Sequence, residues 1–145
     1  KKYEAILFGV LDKDIKVKSK LDTLKKAYNH KVSESNDGKE AISTFKILKK
    51  FTSFTYVEVF ISTGRMHQIR VQSSNLNHPI VNDKKYGLLD LNKFIFTKTS
   101  IGRLALHAAS ISFKDINNQV VCYEAPKNHE FDILLSEVSD LTIKS

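Results

Sequence analysis

The stretch FTYVEVFISTGRMHQIR, residues 54–70, decides how this chain is read. Its first half, Phe54 to Ser62, is rich in β-branched and aromatic residues, and Thr55, Val57, Val59 and Ile61 alternate onto one face of a half-buried strand. Thr63-Gly64 ends that strand, the glycine allowing a sharp turn. From Met66 to Leu76 the period changes: Met66, Ile69, Ser73 and Leu76 recur at helical spacing, with His67, Arg70 and Ser74 on a neighbouring face. Asn77-His78-Pro79 stops the helix, because the residue before a proline avoids helical angles.

Working outward, Tyr3 to Val10 reads as a largely buried strand. Asp12 to Lys26 is Lys-rich and weakly patterned, which predicts an exposed connection holding a short strand. Ser35-Asn36-Asp37-Gly38 is a turn signal. After it Ala41, Ser43, Phe45 and Ile47 alternate, predicting a strand antiparallel to the 54–62 strand. Leu104 to Phe113 and Gln119 to Tyr123 read as strands around an Asp115-Ile116-Asn117-Asn118 turn. His129 to Val138 reads as a closing amphipathic helix, with Phe131, Leu134, Leu135 and Val138 apolar. Runs of strands with few helices predict an α+β fold: a mixed, mostly antiparallel sheet flanked by helices. No repeat or linker divides the chain, so residues 1–145 read as a single domain.

The chain has 145 residues, 41% apolar and 27% charged, which excludes wholesale disorder. No apolar run reaches the ~18–20 residues of a membrane span, so no membrane partner is expected. The lone cysteine, Cys122, excludes an internal disulfide and a Cys-based zinc site, and fits a reducing, cytoplasmic setting. The net charge is +7, and it is uneven. Residues 1–50 hold 13 basic and 7 acidic side chains, whereas residues 101–145 hold 4 and 6. A basic surface over the first two thirds suits a polyanion, RNA above all; its plain alternative is a Lys-rich solvated surface.

The corner at residues 63–70 gathers Arg65, His67, Gln68 and Arg70 at a strand-to-helix junction. Guanidiniums beside a helix N-terminus suit a phosphate or carboxylate; alternatively, Arg65 and Arg70 pair with carboxylates of the same fold. His67, His78 and His107 show no close ligand spacing, so structural hydrogen bonds or RNA contacts are expected and a metal is not. Lys84, Lys85 and Arg103 are candidate phosphate contacts.

Several motifs together carry a resemblance. The TGRMHQIR stretch, then Asn77-His78-Pro79-Ile80, Asp83, Tyr86-Gly87 and Arg103-Leu104-Ala105-Leu106-His107-Ala108 resemble the C-terminal part of the catalytic domain of RluA-type pseudouridine synthases. Lys1, Tyr3, Ala5 and Gly9 match the family's Lys-x-Tyr-x-Ala-x-x-x-Gly strand. Gly38-Lys39, Ala41, Thr44 and Phe45 approximate its Gly-Lys-x-Ala-x-Thr-x-Phe strand, with the threonine here directly before the phenylalanine. Glu124-Ala125-Pro126 fits the ending. The resemblance runs from Lys1 to about Pro126 and is greatest to the RluC subgroup, which modifies large-subunit (23S) ribosomal RNA.

The resemblance implies a pseudouridine synthase-like fold and isomerisation of uridine to pseudouridine in RNA, without cofactor or metal. It implies Tyr3 as the residue stacking on the base and moving protons, and Arg70 as the partner of a nucleophilic aspartate. Both are expected beside one basic cleft. Arg65, His67, Gln68, Lys84, Lys85, Arg103 and His107 are then the expected RNA contacts. The family's His-Arg-Leu-Asp motif is not found in the chain; Asp12 follows the Tyr3 strand and reads as a solvated loop carboxylate. With Lys1 as first residue, the chain reads as N-terminally truncated, the nucleophile lying upstream, and as inactive alone. Asn77 and Asn82 stand where the family usually has glycine, and asparagine tolerates the left-handed backbone such turns need. Gln72 stands where the family commonly has histidine. The alternatives are a non-catalytic RNA-binding module with a degenerate synthase fold, and a phosphate-ester enzyme using the Arg/His cluster.

Overall fold

The computed structural model describes residues 1–26, 29–126 and 128–143, with side chains described outside 23–31. Seven strands form one sheet: β1 (Lys2–Phe8), β2 (Ile15–Lys26), β3 (Asn29–Glu34), β4 (Lys39–Lys50), β5 (Phe54–Ile61), β6 (Leu106–Lys114) and β7 (Val120–Glu124), in the order β3-β2-β4-β5-β1-β6-β7. The helices are α1 (Gln68–Asn75), α2 (Leu89–Thr99) and α3 (His129–Val138). Every strand pairing among the described residues is antiparallel, so the parallel component of the expected mixed sheet is not found.

β1 lies inside the sheet because its second half is apolar on both faces; Ala5, Ile6, Leu7 and Phe8 are all buried. One face carries α1: Gln68 Nε2 donates to Ser43 Oγ at 2.8 Å, and Gln72 Nε2 to Ser19 Oγ at 2.8 Å. The other carries α3, whose Phe131 ring lies 6.1 Å from that of Tyr56. The outer edge of β1 is shared. Residues 2–5 pair with β6, while Phe8 N donates to Pro79 O and Val81 N to Ile6 O. This stitching delivers residues 79–83 alongside the sheet.

The 12–26 segment departs from its sequence reading. It forms a twelve-residue strand from Ile15, not a connection. Ile15, Val17, Ser19 and Leu21 face α1's side and Lys16, Lys18 and Lys20 are exposed. The lysines hide a period-2 pattern that the sheet enforces. β3 and α2 carry no clear local signal. α2 contains Thr and Phe, which are indifferent helix formers, and it is held instead by Ile95 in the core and by Asn92, whose amide bonds Asn82 N and Asp83 O.

The corner after β5 also differs in detail. The left-handed residue is His67 (φ 51°), not Gly64, and α1 starts at Gln68, leaving Met66 exposed. The buried side of α1 is largely polar, with Gln68, Gln72 and Ser73 beside Ile69 and Val71. Asn77 (φ 64°) and Asn82 (φ 66°) adopt the left-handed turns expected of glycine substitutes. The Asp115–Asn118 turn and α3 form where the sequence places them; Asn128 caps α3 by accepting from Phe131 N at 3.2 Å.

Candidate functional site

Arg70 projects from α1 onto the Asp83 loop. Its Nε donates to Asp83 Oδ2 at 2.9 Å and its Nη2 to Oδ1 at 2.8 Å. The arginine expected to await an acid from elsewhere therefore already holds one of this chain. The cause is local: after the left-handed Asn82, the loop turns Asp83 back towards α1, and Oδ1 also accepts from Lys85 N and Tyr86 N, each at 3.0 Å. Gly87 belongs to the same turn, since a Cβ there would stand 2.3 Å from Asp83 O.

Tyr86 is the hub beneath this pair. The Arg70 guanidinium sits 5.2 Å from its ring centroid. Its hydroxyl accepts from Val32 N at 3.0 Å and lies 2.7 Å from His67 Nδ1, and its carbonyl accepts from Ser74 Oγ at 2.8 Å. Thus His67, Arg70 and Ser74 do share a face, and what they share is Tyr86.

The electrostatics follow. Burial pushes the Asp83 carboxyl up, but the Arg70 hydrogen bonds and the Tyr86 and Lys85 amides more than offset it, so its pKa lies below the ordinary value. The hydrogen bond from Arg70 to Asp83 raises the arginine's pKa against burial. Burial, then the charges of Arg70 and Lys85, lower the pKa of His67. A neutral imidazole fits the geometry: the Tyr86 hydroxyl accepts from Val32 and donates to His67 Nδ1.

Tyr3 is on the same side of the sheet as α1. It pairs with Val59, Val59 pairs with Phe45, and Phe45 shares its face with Ser43. Its ring borders an open cleft of about 330 Å³ with Ala108, Ile111 and Tyr123. That cleft is more apolar than the basic cleft expected, and Arg70 does not line it; among the described residues no hydrogen bond or ion pair joins Tyr3 to Arg70.

The expected RNA contacts divide. Lys84 is exposed and Lys85 half-buried beside the Arg70–Asp83 pair. Arg65 sits at the corner with Nε donating to Glu40 O at 2.9 Å. Gln68 is a correction: its side chain is buried, donating to Ile42 O and Ser43 Oγ and accepting from Thr63 Oγ1 and Arg65 N, so it pins the corner and offers RNA nothing. His107 pairs with Glu4 in the sheet, on the face opposite Tyr3, and packs 6.1 Å from Phe131 in a recess shared with Glu4, Glu124 and Asp132. Lys2 shares that recess, and Arg103 and His129 border His107 on its other side. Arg103 is exposed near His107 and the start of α3, its carbonyl accepting from Asn82 Nδ2 at 3.0 Å. His78 is structural: Nδ1 lies 2.9 Å from Phe8 O, against Gly9 (φ 78°).

Asp83 was visible in the sequence only as a motif letter. Its signal is Asp-x-x-Tyr-Gly, an acid whose own loop supplies amides and a glycine. Among the described residues no group of three metal-ligating side chains forms, and no helix is long and apolar enough to cross a membrane.

An all-antiparallel seven-stranded sheet with three helices, and an arginine on the helix after β5 held by Asp83, define an α+β domain. The chain belongs to the RNA pseudouridylate synthase family, whose model matches residues 1–75. It is 40% identical over 95% of its length to the ribosomal large subunit pseudouridine synthase C of Buchnera aphidicola subsp. Baizongia pistaciae, and 38% identical over 78% to that of Vibrio cholerae. It spans 45% and 35% of those relatives' lengths. Among solved structures, human RNA pseudouridylate synthase domain containing 1 superposes with TM-score 0.73 over 87% of this chain and 54% of that one, at 21% identity. Human RNA pseudouridylate synthase domain containing 4 gives 0.71 over 94% and 61%, also at 21%. These two likenesses concern the fold.

Proposed function

We propose that this chain is the part of a cytoplasmic enzyme that holds the base and the catalytic arginine during isomerisation of uridine to pseudouridine in large-subunit ribosomal RNA. The reaction is redox-neutral. The C1′–N1 bond breaks, the base turns, C1′–C5 forms, C5 gives up a proton and N1 gains one. Its balance calls for no redox cofactor.

Asp83 is unsuited to be the nucleophile: its side chain is 1% exposed and both oxygens are engaged. It is a positioning residue. A guanidinium carries five N–H donors; with Nε and one Nη2 hydrogen held by Asp83, Nη1 is left to hold a second carboxylate in direction and ionised. That carboxylate comes, in this reading, from an aspartate of the same protein outside these 145 residues. Tyr3 offers its ring to the base. Extruding a uridine costs a few kcal/mol, of which stacking recovers about 1–3 kcal/mol. Lys84, Lys85 and Arg65 meet phosphates.

The observation carrying this reading is the 40% identity to a ribosomal large subunit pseudouridine synthase C across 95% of the chain, a span that includes Arg70 and Asp83. The test is to incubate the protein that carries this chain with a large-subunit ribosomal RNA transcript and map pseudouridine by mass spectrometry. New pseudouridine at a defined uridine is expected; none in a folded, RNA-binding protein would overturn the assignment in favour of a binding module.

A further inference from the structure

Asp83 fixes the Arg70 guanidinium relative to its own loop, through the hydrogen bonds from Nε and Nη2. The direction in which Nη1 points then depends on where that loop stands against the rest of the fold. A loop that shifted would carry the pair with it. Tyr86, three residues after Asp83, is the side chain that ties this loop down.

Its contacts surround the arginine. The Tyr86 amide donates to Asp83 Oδ1 at 3.0 Å, and its carbonyl accepts from Ser74 Oγ at 2.8 Å. Its hydroxyl joins Val32 N of β3, at 3.0 Å, to His67 Nδ1, at 2.7 Å. The His67 ring meets the phenol edge-on, with centroids 5.5 Å apart. His67 and Ser74 flank Arg70 on α1, one turn before it and one turn after, so the helix fastens Tyr86 on both sides of the arginine. The guanidinium then lies over the ring, 5.2 Å from its centroid, within cation–π range. Packing against Leu21, Val32, Ala41 and Val71 accounts for an aromatic ring here. It does not account for a hydroxyl that bridges two elements, nor for the arginine above the ring.

We propose that Tyr86 is a positioning residue for the isomerisation: it holds the Arg70–Asp83 pair against α1 and β3, so that Nη1 is aimed at the nucleophilic carboxylate. The inference rests on the reading of Arg70 as partner of that carboxylate, and Tyr86 acts only through Arg70. A displacement of about 1 Å in such a group costs on the order of a hundredfold in rate, so a partial loosening costs less.

The test is single-turnover tritium release from RNA carrying 5-tritiated uridine, at saturating concentrations of the protein that carries this chain. Tyr86→Phe keeps the ring and removes the hydroxyl ties; it is expected to slow release about fivefold. Tyr86→Leu removes the ring as well and is expected to slow it about twentyfold, both with RNA affinity within about twofold of the parent. Each change is then combined with Arg70→Lys. There it is expected to add less than about twofold, because the group it positions is already gone. A tyrosine that only supports the fold would cost the same factor in both backgrounds. Parental release by Tyr86→Phe and Tyr86→Leu, or losses that multiply in full with Arg70→Lys, would overturn the role of Tyr86 and leave Arg70 in place. Should Tyr86→Leu not fold, Tyr86→Phe decides by the same two criteria. Parental release by Arg70→Lys alone would instead bring down the reading of Arg70, and this inference with it.

Discussion

Asp83 grips Arg70 through two parallel hydrogen bonds of 2.9 and 2.8 Å while its Oδ1 also accepts from the Lys85 and Tyr86 amides. Arg70 and Asp83 are 13 residues apart, and their contact folds the turn that follows α1 back onto the helix. It also fixes the plane of the guanidinium, which a lysine ammonium has no means to do.

Asp83→Asn breaks that pair and leaves a guanidinium that is 20% exposed. The loss is expected to be about 2–3 kcal/mol, below the usual cost for a fully buried pair because Arg70 is partly hydrated. Urea unfolding checks it; an unchanged midpoint would show the pair to be incidental.

Acid should undo the same contact. Asp83 has a folded pKa below its ordinary 3.8, so its stabilisation is complete above that value and fades as the pH falls through the lower folded one. Asp83→Asn should therefore lose less stability than the parent protein when taken from pH 5 down into that acid range. Parallel acid-unfolding curves would contradict it.

A second window belongs to His67. Its pKa is lowered from 6.5, so the fold favours the neutral ring; that contribution is present above 6.5 and is lost as the pH falls through the folded value. Asn tolerates the left-handed backbone that His67 adopts. His67→Asn should thus flatten the fall in melting temperature between roughly pH 7.5 and 5. A fall as steep as the parent's would detach His67 from the Tyr86 network.

Gly87→Ala should cost about 1–3 kcal/mol, since the new Cβ would stand 2.3 Å from Asp83 O and backbone must move. Calorimetry decides; a neutral effect would mean the loop yields without disturbing Asp83.

Much of this was legible beforehand. Strong alternation and the Ser35–Gly38 turn mark β4 and β5, and the Asp115–Asn118 turn marks the β6–β7 hairpin, because each signal is local. The 12–26 strand was obscured by lysines on its solvent side, and α2 by its indifferent helix formers, both being settled by tertiary packing. In the site, Arg70 and Tyr3 were singled out, yet the grip of Asp83 on Arg70 depends on the β1 edge carrying residues 79–83 back to α1. Gln68 turns inward for a like reason: polarity in a motif does not reveal whether the side chain points into the fold.

The most direct measurement is single-turnover release of tritium from RNA carrying 5-tritiated uridine, with Arg70→Lys compared to the parent protein. The substitution keeps the charge and removes the fork that meets Asp83 and a second carboxylate. Turnover is expected to fall at least about a hundredfold, with RNA affinity changed little. Near-parental release at equal RNA occupancy would remove Arg70 from the reaction.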